Sequence, residues 1–104
     1  NAGGISANRI ARLGIKAIII EGFPEDDRWH MLRITPDECS FLPAEPYLGL
    51  GTYAFCEKIL AQYPGAAVTC IGPAGEKLYS AAGVATIDAD GKPGRYSGRG
   101  GWGL

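Results

Sequence analysis

Residues 51–75 read GTYAFCEKILAQYPGAAVTCIGPAG, and this stretch decides the class of fold. Phe55, Cys56, Ile59, Leu60 and Tyr63 recur at helical spacing and predict an amphipathic helix that begins at Thr52. Thr52 is expected to cap it, and Pro64-Gly65 supplies the stop. AAVTCIG then reads as a short buried strand, closed by the GPAG turn. A helix followed at once by a strand excludes a helical bundle and an all-β sandwich, and asks what other strands the chain offers.

Working outward, SANRIARLG predicts a short helix with Ser6 as N-cap, Ala7, Ile10, Ala11 and Gly14 on one face, and Gly14 as the left-handed C-cap. KAIIIEG follows, and its consecutive β-branched residues predict a strand buried on both faces. FPEDDR is a charged turn. WHMLRIT predicts a strand with an ambiguous inward face, and PDECSFLP, bracketed by Pro36 and Pro43, a second strand making a hairpin with it. In KLYSAAGVATIDADG, Val84, Thr86 and Ile87 favour strand. The expected architecture is α+β, with mixed strands and two main helices, in one domain over residues 1–104.

Bulk properties narrow the function. A net charge of −1 and a pI near 5.8 argue against a nucleic-acid surface or an anionic membrane as partner. The longest apolar run is too short to span a bilayer, and no signal peptide is expected. Cys39, Cys56 and Cys70 are odd in number and widely spaced, so neither a disulfide framework nor a metal knuckle is expected, and a reduced, cytoplasmic compartment is.

Several short motifs fall away on their own chemistry. Gly49-Leu50-Gly51-Thr52-Tyr53-Ala54 has the letters of a dinucleotide fingerprint, but Pro43 and Pro46 interrupt the approach and no acidic residue ends the next strand. A glycine turn before a capped helix is the stronger reading. Asp88-Ala89-Asp90-Gly91 lacks the later ligands of a calcium loop and reads as a DG turn between strands. GPAGEK has the wrong spacing for a phosphate-binding P-loop, and Glu25-Asp26-Asp27 reads as a solvated turn. His30, the single histidine, has no nucleophile to serve and reads as a packed or surface residue.

Glycine is the anomaly, at 16 of 104 residues, clustered at 3–4, 49–51, 72–75 and 91–103. The chain ends RYSGRGGWGL, with four glycines in the last seven residues and two arginines four apart. Glycine loses the most backbone entropy on ordering, so such a run points to close approach of something to the main chain. Arg95 and Arg99 beside exposed peptide N–H groups suggest an anion nest for a phosphate.

Taken in order, NAGG, GIKAIIIEG, LGLGTYAFCEKIL, CIGPAGEKL and RYSGRGGWG resemble the N-terminal domain of the tungsten-containing aldehyde ferredoxin oxidoreductase family. IGPAGE and the GRGG tail are the specific parts, and the resemblance covers nearly the whole chain. It implies a platform for two pterin dithiolenes that hold one tungsten or molybdenum, with the pterin phosphates bridged by magnesium. On that resemblance Arg95 and Arg99 would grip pterin phosphate, and Gly98 would let backbone touch the cofactor. Asn1 and Gly3 match an Asn-x-Gly turn, and Asn1 and Tyr96 would each offer a backbone carbonyl to the magnesium.

Three departures stand out: Tyr96 and Ser97 replace two alanines of the family tail, Ile15-Lys16 replaces a Tyr-Asp pair, and the FPEDDRWH turn is long. The family's 4Fe-4S cysteines and its Asp-x-x-Gly-Leu pterin motifs belong to later domains, and no cluster ligands are expected among these residues. The resemblance thus implies a piece of an enzyme that converts aldehydes to carboxylates and passes electrons to ferredoxin. The piece would be inactive alone, with the remaining domains of the same chain as its partners and neither nucleic acid nor membrane among them. The rival expectation is a stand-alone phosphate- or nucleotide-binding module without catalysis.

Overall fold

The computed structural model describes residues 3–97. Its elements are α1 (Ser6–Arg12), β1 (His30–Ile34), β2 (Cys39–Pro43), a 3-10 turn (Glu45–Tyr47), α2 (Thr52–Gln62), β3 (Thr69–Ile71), α3 (Pro73–Glu76), β4 (Val84–Thr86) and β5 (Arg95–Ser97). The fold is α+β, with two small antiparallel sheets of order β1-β2 and β3-β4-β5. Among the described residues no helix is long and apolar enough to cross a membrane.

The hairpin forms as the sequence predicts, with His30 opposite Pro43 and Ile34 opposite Cys39. Thr35 closes its loop: its N–H donates to the Glu38 carbonyl at 2.8 Å, and its hydroxyl accepts from the Asp37 and Glu38 amides. The inward face, ambiguous from sequence, is the one with Met31, which packs on the core, and Arg33, whose guanidinium lies 5.2 Å from the Tyr63 ring centre.

Helix α2 presents the predicted stripe: Cys56 and Ile59 are buried in a cluster with Tyr47, Val68 and Ile87, and Phe55, Leu60 and Tyr63 flank it. Its cap differs from expectation. Gly51 is the N-cap, without a side-chain cap bond, and Thr52 is the first helical residue. At α1 the cap is Ile5 rather than Ser6, whose hydroxyl instead lies 2.8 Å from that of Thr69. The C-terminus of α1 is as predicted. Gly14 adopts φ +75°, its N–H reaches the Ala11 carbonyl, and Ile15 N–H reaches that of Ile10, which together make a Schellman motif.

Two strand expectations are corrected. KAIIIEG forms no strand: residues 17–21 have no regular structure, with Ile19 80% and Ile20 66% exposed and Phe23 beyond them 97% exposed. β-branched residues favour a strand only where a neighbouring edge and an apolar cover exist, and here β1 pairs with β2 alone among the described residues. The strand from AAVTCIG is three residues long and exposes Thr69 and Ile71, while the buried Val68 precedes it.

Cys70 on β3 packs against the core cluster that holds Cys56 of α2. Burial, with the neighbouring Cys56 adding to it, pushes the Cys70 thiol from 9.0 up to about 12. The unfolded thiol therefore ionises first as pH rises. Folded-state stability is undiminished by this group below about pH 9 and falls between about pH 9 and 12. Denaturant midpoints at pH 7 and pH 10.5 should separate more for the wild type than for Cys70→Ala. In the native protein a thiol reagent at pH 8 should label the exposed Cys39 alone, and Cys56 and Cys70 only after unfolding.

Candidate functional site

The glycine-bearing motifs, scattered in sequence, meet around β4 and β5. β5 is an edge strand, paired through Arg95 to Thr86, Tyr96 to Ala85 and Ser97 to Val84. The N-terminal turn lies beside it because Ile5 N–H donates to the Ile87 carbonyl at 3.1 Å. That bond brings Gly3 against the Arg95 side chain, so close that a Cβ there would sit 3.1 Å from Arg95 Cγ and Cδ.

Arg95 itself is positioned by the preceding turn. The DADG segment forms the DG turn the sequence predicts: Gly91 N–H reaches the Asp88 carbonyl, Asp88 N–H reaches the Lys92 carbonyl, and Lys92 N–H reaches the Asp90 carboxylate. Asp88 is thereby set beneath Arg95, and its Oδ1 accepts from Arg95 Nε at 3.2 Å. The pair is largely open to water, so it contributes little to stability. Its effect is geometric. With Nε engaged, the guanidinium plane is oriented and the Nη1/Nη2 edge has no described partner, which leaves a two-pronged donor for a phosphate or carboxylate.

On the other side of β5, the Tyr96 hydroxyl lies 3.0 Å from Thr52 Oγ1 at the start of α2. The Thr52 methyl packs on Gly72 of the IGPAGE turn, where a Cβ would lie 3.3 Å away. Glu76 of the same turn accepts from the Gly49 amide through both carboxylate oxygens, at 2.9 and 3.1 Å. That bond occupies a backbone N–H that a dinucleotide pyrophosphate would need. Since a 3-10 turn rather than a strand precedes Gly49, the fingerprint reading is excluded in favour of the glycine turn.

Of the predicted site residues, the structure thus brings Gly3, Arg95 and Tyr96 together; Asn1, Gly98 and Arg99 lie outside the described residues. Three residues were not singled out for this site from sequence. Asp88 stood in a motif read only as a turn, Thr52 was read as a cap, and Glu76 was part of a family motif without a role. An acidic residue before a DG turn with an arginine beyond it is the signal that could have paired Asp88 with Arg95. His30 is exposed on β1, edge-on to Phe41 at 6.4 Å. Among the described residues no group of three His, Cys, Asp or Glu could hold a metal.

The site is open. Two apolar clefts flank β1, and neither is lined by Gly3, Arg95 or Tyr96. An exposed ledge with an oriented cation can seat one side of a large anionic ligand.

The family model for aldehyde ferredoxin oxidoreductase, N-terminal domain, matches residues 1–104. The comparison with curated proteins gave no match, and neither did the comparison with solved structures.

Proposed function

Because the chain belongs to the aldehyde ferredoxin oxidoreductase family, matching its N-terminal domain, we propose that it supplies part of the platform for a tungsten or molybdenum bis-pterin cofactor. The family consists of oxidoreductases. The observation that carries the reading is Arg95, aimed by Asp88, backed by Gly3 and, among the described residues, open along its Nη edge. This donor set suits a pterin phosphate, since a planar fork binds phosphate oxygens in pairs. Among the described residues β5 is an edge strand, so part of its backbone faces away from the sheet and is left for a ligand. That fits a carbonyl from Tyr96 reaching a phosphate-bound magnesium, and carbonyl oxygen is a suitable hard ligand.

In this reading Arg99 joins Arg95 on phosphate, Gly98 admits backbone to the cofactor, and Asn1 offers the second carbonyl to magnesium. When bound, the metal centre supplies the two-electron oxidation of an aldehyde to a carboxylate. A 4Fe-4S cluster, ligated elsewhere in the parent, would supply the electron path to ferredoxin, in the cytoplasm. This chain's residues bind and orient. Without the remaining domains it should not oxidise aldehydes.

Metal analysis of the full-length parent, grown anaerobically with tungstate and molybdate, tests the proposal beside the Arg95→Ala/Arg99→Ala double variant. Stoichiometric metal is expected in the parent, with at least a tenfold loss in a variant that still folds. Equal metal in both would remove the role of the arginines. Metal in neither would return the domain to a phosphate-binding module without catalysis.

A further inference from the structure

We propose that Thr52 and Tyr96 form a latch that positions Arg95 for its ligand, an inference that rests on the role of Arg95 above and deepens it. β5 is three residues long, lies at a sheet edge, and exposes both Arg95 and Tyr96. A strand so short and so placed opens readily unless it is held at both faces.

Successive side chains of a strand point to opposite faces. On one face Arg95 is held by Asp88 and Gly3. On the other, Tyr96 reaches Thr52, 44 residues away in sequence. Either grip alone leaves β5 free to roll about its axis. Together they fix its twist and so the direction of the guanidinium.

The anchor is well chosen for the purpose. α2 is the longest described helix and is rooted in the core through Cys56 and Ile59, so its first residue moves little. Thr52 is β-branched, with its methyl against Gly72, which restricts its rotamer and aims the hydroxyl. The described partner of that hydroxyl is the Tyr96 hydroxyl, not a backbone amide of its own helix. Apart from its pairing with β4, the described anchor on the chain beside β5 is the fully buried Pro93 that precedes it. Thr52 is therefore a positioning residue that acts through Tyr96, and neither residue need touch the ligand with its side chain.

The test uses the 104-residue chain and two isosteric deletions, Tyr96→Phe and Thr52→Val, with Thr52→Ser as the conservative rescue and Arg95→Ala as the binding control. Amide hydrogen exchange of residues 95–97 is followed by NMR without ligand, and magnesium pyrophosphate is titrated by calorimetry. Loss of one hydrogen bond should speed exchange and weaken pyrophosphate binding by about threefold to fivefold. The Tyr96→Phe/Thr52→Val double variant should be no weaker than either single one, since all three lose the same bond. Thr52→Ser should stay near wild type, and Arg95→Ala, which removes the grip on the other face, should lose binding and speed exchange as well.

Unchanged exchange in both deletions overturns the latch. Faster exchange with unchanged affinity overturns its role in positioning. Absence of pyrophosphate binding by the wild type overturns the reading of Arg95 and with it this use of the latch, whatever the exchange rates show.

Discussion

Gly4→Ala should lower stability by about 2–5 kcal/mol, a large share of the roughly 5–15 kcal/mol that holds a small domain together. Two costs add. Gly4 has φ +91°, a region where an L-residue loses about 1–2 kcal/mol. There is also no room: a Cβ would lie 2.5 Å from Thr86 Cγ2 and 2.7 Å from the Ile87 carbonyl oxygen. Thr86 and Ile87 are both buried, so the N-terminal turn must move instead, at a further cost of about 1–3 kcal/mol. Gly49→Ala separates the two costs. Its φ is +76° but nothing stands within 4 Å, so only the backbone penalty of about 1–2 kcal/mol should appear. Thermal unfolding followed by circular dichroism reads both, and a Gly4→Ala midpoint no lower than that of Gly49→Ala would contradict the close packing. The change should also reach the site. The bond from Ile5 to Ile87 is the tether that brings Gly3 under Arg95, and a displaced turn withdraws that support.

Ile87→Ala should cost about 3–4 kcal/mol in urea denaturation, near the middle of the range for truncating a buried isoleucine. Ile87 is 1% exposed and closes the cluster of Tyr47, Cys56, Ile59 and Val68 from the β4 side. Its backbone is committed on both sides as well, accepting from Ile5 and donating to the Val68 carbonyl at 3.1 Å, so the cavity cannot collapse by shifting the strand. The same deletion at Ile19 should cost less than about 0.5 kcal/mol, because that side chain is already in water. The comparison decides the state of residues 17–21. Equal losses at the two positions would mean that Ile19 is buried in solution, as KAIIIEG suggests when read by itself.

Much of the fold was legible because its signals are local. The stripe from Phe55 to Tyr63, the stop at Pro64-Gly65, the left-handed cap at Gly14 and the turn at Asp90-Gly91 each depend on residues a few positions apart. The hairpin was legible for the same reason. Its faces were not, because Met31 and Arg33 are told from His30 and Leu32 only by what lies over them, and that cover comes from Tyr63 and the core. Of the site, Arg95 and the glycines announced themselves by composition. Asp88 and Thr52 did not, since an aspartate before a glycine turn and a threonine before a helix each have an ordinary local use.

By itself, then, the sequence determined the α+β class, the positions of α1, α2 and the hairpin, and the arginine-and-glycine segment for which an anion grip is proposed; the short helix α3 stood in it only as the GPAG turn. Those follow from periodicity and backbone preference, which act within one element. The tertiary structure alone decided the uses of hydroxyls and apolar runs. Ser6 and Thr52, both fit to cap a helix, reach instead across to Thr69 and Tyr96. Three consecutive isoleucines, fit to form a strand, stay in water because a strand is completed by its neighbours and no described edge meets them.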